Sequence, residues 1–204
     1  MTEPQKKEGF DYNRFAKIIS FAFTPAITGS FLLLYMVYTF SPTLEVMFKT
    51  LLIVSFFSII LPVCFTFFLL KNNKIKNFHI RERKERAVPF AFALLSSAGS
   101  LLAIKYFATN PELVRMVLIL YLMALGYVAI TLLRFKISGH IFIFSAAILV
   151  LSFYVDLRFI YLLPLSILIG WSRVYLKEHT LGEVIGAAVY SMISFMVFSL
   201  LINN

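Results

Sequence analysis

The chain has 204 residues, 60% of them hydrophobic and only 14% charged, with a net charge of +9 and a mean hydropathy of +0.88. Soluble domains run at roughly 45–50% apolar and about 25% charged, and a core of this size could not hide the excess, so lipid is the solvent it requires. The 23 Phe exclude a disordered chain, and the single Cys, Cys64, excludes a disulfide scaffold and reads as packing inside an apolar run. Basic charge in such a protein marks cytoplasmic loops and contacts to anionic head groups more often than nucleic acid.

A backbone in lipid must satisfy its own hydrogen bonds, so the apolar stretches predict an all-α transmembrane helix bundle. Residues 1–15 form a polar N-terminal segment, and 16–204 form a single integral-membrane domain. The first stretch runs from Ala16 to about Phe40, and it is longer than a signal-peptide core. Ser41-Pro42-Thr43 is a turn, and Glu45 to Leu70 is the second stretch. Each is long enough to cross about 30 Å of hydrocarbon with some tilt, and Pro25 and Pro62 are expected to kink them.

Lys71 to Val88 is a densely basic loop, after which Pro89 opens a third stretch at a first-turn position. Thr109-Asn110-Pro111 is another turn, and Glu112 to Leu133 is the fourth span. Arg134 to Gly139 is a short basic connection. His140–Val155 and Arg158–Trp171 are both short for spans and are separated by Asp156-Leu157. Residues 172–182 read as a loop or an interfacial segment, and Glu183 to Ile202 is the last span. The total is seven spans, or six if one short segment only dips into the bilayer.

With seven spans, the N-terminus and the three basic connections share one face. That face carries 15 of the 19 Lys and Arg, so the positive-inside rule puts it in the cytoplasm of a plasma or inner membrane. All three histidines, His79, His140 and His179, lie on it. His179 and Glu183 are four residues apart, a spacing that lets the carboxylate accept a proton from one ring nitrogen and leave the other as nucleophile or base. Ser138-Gly139-His140 opens a span, where small residues let backbone N–H groups approach an anion. Arg173, Arg83 and Arg86 supply planar forks suited to phosphate. The carboxylates are too scattered for a two-metal arrangement, so the expected phosphoryl-transfer site uses no metal and no cofactor.

The run from Ser172 to Glu183 resembles the S-R-x5-H-x3-D motif of the type 2 phosphatidic acid phosphatase superfamily, membrane lipid phosphatases related in active site to vanadium haloperoxidases. Ser138-Gly139-His140 resembles that family's P-S-G-H motif, with Ile137 in place of Pro, and Glu183 stands in place of Asp. The first motif, K-x6-R-P, is blurred. Lys76 and Arg83 keep its spacing but Lys84 replaces Pro, and Arg83-x2-Arg86-x2-Pro89 is a second alignment. Two additional apolar stretches also separate this loop from Ser138.

The resemblance implies a two-step mechanism. His179 attacks phosphorus with Glu183 holding its tautomer, and His140 protonates the leaving oxygen and later activates water. Arg173, Ser138, the Gly139 amide and Arg83 or Arg86 with Lys76 hold the phosphoryl oxygens. The implied substrate is a lipid phosphate or diphosphate, such as a polyprenyl diphosphate (undecaprenyl diphosphate among them), a phosphatidylglycerol phosphate or phosphatidic acid. Its tails would stay among the membrane lipids. The alternatives are a lipid phosphotransferase and a non-catalytic binder of anionic lipids. A transporter is disfavoured, because the spans are nearly free of interior charge.

Overall fold

The first apolar stretch does not cross as one rod. Asp11 caps helix α1 (Tyr12–Ala22) by accepting from the Arg14 N–H at 3.0 Å, and the helix stops before Thr24 and Pro25. Thr24 then caps α2 (Pro25–Phe40), whose axis turns 41° from that of α1. The kink expected at Pro25 is therefore a full break, since proline is at home in a first turn and has no N–H to continue the preceding helix. The computed structural model describes residues 10–76, 83–107, 110–133 and 135–203, with the backbone alone at 83, 84, 86 and 107.

α3 (Leu44–Ser55) passes through a π-helical segment, Phe56–Ile60, into α4 (Leu61–Lys71), giving one apolar run of 28 residues. Pro62 sits just after the π segment, where the wider turn accommodates its ring and missing N–H. Cys64 points outward and is exposed, not packed in the core as expected.

α5 (Arg83–Phe107), α6 (Pro111–Leu132), α7 (Gly139–Tyr154), a 3₁₀ helix (Leu157–Leu162), α8 (Leu165–Tyr175) and α9 (Leu181–Asn203) follow. The all-α bundle expected from composition is what forms. Five stretches among the described residues are long and apolar enough to cross a membrane, or six where the bent pair α1–α2 is counted as one span.

α7, at 16 residues, is the short one. It is apolar on every side because it is the central helix: Ile141, Phe142, Phe144, Ala147, Ile148 and Leu151 are all buried, with α2, α6, α8 and α9 packed around it. Two boundaries need correction. α5 starts at Arg83, so Pro89 lies inside the helix and not in its first turn; Arg, Lys and Glu are good helix formers and carry the helix beyond the apolar run. α8 continues to Tyr175, so Ser172 and Arg173 stand on its last turn, and only residues 176–180 separate it from α9.

Small residues let the last helices approach. A Cβ on Gly170 would stand 2.8 Å from Val184 Cγ1, and Val184 is stiff in a helix because it is β-branched. Gly170→Ala therefore forces α8 and α9 apart. Overpacking costs about 1–3 kcal/mol, and alanine regains about 1 kcal/mol over glycine in a helix. A net destabilisation of about 1 kcal/mol is expected, read as a lower Tm in detergent; an unchanged or raised Tm would show that the contact relaxes freely.

Candidate active site

The site forms where α7 and α9 begin and α8 ends. His140 at the start of α7 and Arg173 at the end of α8 both reach Ser20, and the His179 N–H reaches the Arg173 carbonyl, so the three lie at one end of the bundle.

α8 closes in a Schellman motif. The Lys177 N–H donates to the Val174 carbonyl and the Glu178 N–H to the Arg173 carbonyl, both at 3.0 Å, with Lys177 in the left-handed region at φ 56°. The His179 N–H also reaches the Arg173 carbonyl at 3.2 Å. The chain is thus folded back so that His179 sits over the end of the helix carrying Arg173. The same turn closes α4, with Asn73 at φ 55° and the Lys74 N–H on the Leu69 carbonyl.

α9 opens with a capping box. The Glu183 N–H donates to Thr180 Oγ1 at 3.3 Å, and Glu183 Oε2 accepts in return from the Thr180 N–H at 3.2 Å. The same oxygen takes His179 Nδ1–H at 2.8 Å and the Lys136 ammonium at 3.0 Å. A carboxylate only accepts, so the proton is on Nδ1, and Nε2 of His179 keeps its lone pair. His179 is buried. Burial disfavours its charged form, and the Lys136 and Arg173 cations act in the same direction. Together they outweigh Glu183, so the imidazole titrates below its ordinary value. His179 is therefore a neutral base near pH 7.

Lys136 is the residue that sequence reasoning did not single out. It bridges Glu183 and the Glu178 carbonyl, the latter at 2.9 Å. Its neighbour Ser138 donates its N–H to the Glu183 carbonyl at 3.1 Å, stitching the start of α7 to the start of α9. Thr180 was also overlooked, although T-x-x-E before an apolar run is a readable capping signature.

Ser138 is fully buried, and its hydroxyl has no hydrogen-bond partner among the described residues. Leaving a buried hydroxyl unsatisfied costs about 1–3 kcal/mol. The first α7 hydrogen bond to Ser138 is made by the Phe142 N–H, so the intervening amides stand at an open helix N-terminus. Gly139 is required for a reason beyond backbone approach. A Cβ there would stand 2.9 Å from Tyr127 Oη, whose ring is stacked on Phe142 at 4.6 Å.

The remaining groups meet on α1. His140 Nε2 lies 3.1 Å from the Ser20 carbonyl, so this nitrogen carries a proton, and Arg173 Nη1 donates to Ser20 Oγ. Arg173 Nη2 is also 3.9 Å from Glu178 Oε2. Nothing in the sequence pointed to Ser20, which is 120 residues from His140.

The first motif is only partly on view. The Lys76 N–H donates to Glu85 Oε2 at 3.1 Å, which ties the preceding turn to α5. Arg83 and Arg86 lie on the first turns of α5, and their side chains are outside the described residues, as is His79. Phe90 on α5 is 6.2 Å from Tyr127, the residue that abuts Gly139, so this part of α5 lies toward the same end. Compared with family models, with curated proteins and with solved structures, the chain finds no match.

Proposed function

We propose that the chain is a membrane phosphatase that hydrolyses a lipid phosphate or polyprenyl diphosphate without a metal, as the resemblance to the type 2 phosphatidic acid phosphatases implies. The observation that carries the reading is His179 held through Nδ1 by Glu183 at 2.8 Å, which leaves Nε2 as the nucleophile. Its lone pair attacks phosphorus as the bond to the lipid oxygen breaks, and His140, entering the step as the imidazolium, gives its Nε2 proton to that oxygen and becomes neutral. Water then attacks the phosphohistidine. His140 takes a proton from the water, and the P–N bond breaks to release phosphate. Arg173, Ser138 and the Gly139 amide are suited to the equatorial oxygens, with Lys76, Arg83 and Arg86 as candidate partners. A loose phosphoryl transition state is stabilised mainly by positioning and by such donors. The basic end faces the cytoplasm, on the charge bias of the loops.

Phosphate release from a panel of lipid phosphates and diphosphates, by detergent-purified protein in excess EDTA, tests this. Turnover is expected; none on any lipid by folded protein would falsify the phosphatase reading.

The pH dependence follows from the environment of His179. Its pKa is lowered on folding, so the unfolded chain binds the proton more readily. The stability that neutral His179 contributes is complete above the unfolded value of about 6.5 and is lost as the pH falls below it. Turnover should share that direction, with its acid limb below pH 6.5. Lys136→Met removes one of the cations that hold the pKa down and should move the limb to higher pH. A limb that stays in place would mean that Lys136 has no hold on His179.

A further inference from the structure

We propose that α1 is a hinged lid whose Ser20 stands where a substrate's phosphoryl oxygens would bind, so that lipid phosphate must displace α1 to reach His140 and Arg173. The inference rests on the phosphatase reading of that site. Two donors suited to a phosphoryl group, His140 Nε2–H and the Arg173 fork, are both directed at oxygens of one residue. The Ser20 carbonyl and hydroxyl oxygens thus occupy two donors that would otherwise be offered to the oxygens of a phosphate.

The carbonyl is exposed to His140 by the way α1 ends. The Thr24 N–H, which would reach back to Ser20 in a continuing helix, turns to the Phe21 carbonyl at 3.2 Å. The Ser20 carbonyl is then one of the orphan acceptors of a helix C-terminus. Immediately beyond it, Phe23-Thr24-Pro25 breaks the backbone ladder between α1 and α2, which is a place for a hinge.

α1 is also built to leave. Of its residues only Ala16 and Ser20 are buried, and Phe15 packs on Trp171 with ring centroids 6.0 Å apart. Tyr12, Arg14, Lys17, Ile18 and Phe21 are exposed. A short helix with aromatics, aliphatics and cations on its outer surface is stable in the head-group region, so a lifted α1 has somewhere to lie.

Trp171 is the only tryptophan in the chain and reports on α1 directly. The full-length protein in detergent is titrated with inorganic phosphate while Trp171 emission and, by calorimetry, Kd are read. Wild type should change its emission as phosphate binds. Ser20→Ala, which removes the hydroxyl competing for Arg173, should bind phosphate about tenfold more tightly. Phe15→Ala, which loosens α1 on Trp171 without touching the site, should tighten binding in the same direction. Emission that stays constant while phosphate binds, or a Kd in Ser20→Ala that is unchanged or weaker, overturns the lid and leaves the phosphatase reading standing. Phosphate bound by none of the three proteins removes both.

Discussion

His179→Ala is expected to abolish phosphate release, with a loss of at least about 10⁴-fold, while the protein still folds. The reason is that no other side chain among those gathered at the site can take its place. His140 has its proton on Nε2, directed at the Ser20 carbonyl, so in this arrangement it is a donor and not a nucleophile. Removal of a nucleophile that acts together with its acid and its orienting carboxylate costs about as much as removal of the whole set. Folding should survive because the loop is held by backbone bonds, from the Glu178 and His179 N–H groups to the Arg173 carbonyl, that alanine retains. The comparison is made by kcat beside a thermal melt and by acid-quenched trapping of a phosphoenzyme. An intermediate that forms in wild type and is absent in the variant is expected. Ordinary turnover by His179→Ala would transfer the nucleophile's role elsewhere.

Glu183→Ala should lose on both counts, because one oxygen serves three donors. Without Glu183 Oε2 the Nδ1–H of His179 has no acceptor, the Lys136 ammonium loses its carboxylate, and the Thr180 N–H loses its half of the capping box. Removing the carboxylate that orients a catalytic histidine costs about 10⁴ in kcat in the protease triad, and a fall of about 10²–10⁴ is expected here. The lost cap adds a destabilisation of about 1 kcal/mol. Thr180→Val separates the two effects. It removes the hydroxyl that accepts from the Glu183 N–H and leaves His179–Glu183 in place, so stability should fall by about 1 kcal/mol while kcat changes little. If both variants lose activity in proportion to stability, Glu183 is a helix cap and nothing more.

The capping box also accounts for the glutamate at 183, where the phosphatase motif that this run resembles has aspartate. An aspartate four residues after the histidine could orient the ring, but the glutamate at the third position of α9 is the residue type that reaches back to the cap N–H. Its added methylene lets the same oxygen meet His179 Nδ1, the Thr180 N–H and Lys136.

The sequence by itself determined the solvent, the helical class and the local half of the site. Apolar runs of about 25 residues in lipid read as helix, because only a helix pairs every N–H and C=O within a single run of that length. His179 with Glu183, Ser138-Gly139-His140 and Arg173 were legible because each depends on spacing along a single turn or helix start. Boundaries were less legible where helix formers extend beyond the hydrocarbon, as at Arg83 to Pro89 and at Ser172 to Tyr175. Tertiary structure alone decided what joins the pieces. Lys136 and Glu183 are 47 residues apart in number and meet only because α7 and α9 start side by side, with the Ser138 N–H on the Glu183 carbonyl. Ser20 reaches Arg173 across 153 residues because Pro25 breaks the first stretch and turns α1 onto α8. Periodicity records which face of a helix is apolar. It holds no record of which distant helix end will lie beside it, since that is set by how the small residues and bulky side chains of the whole bundle pack.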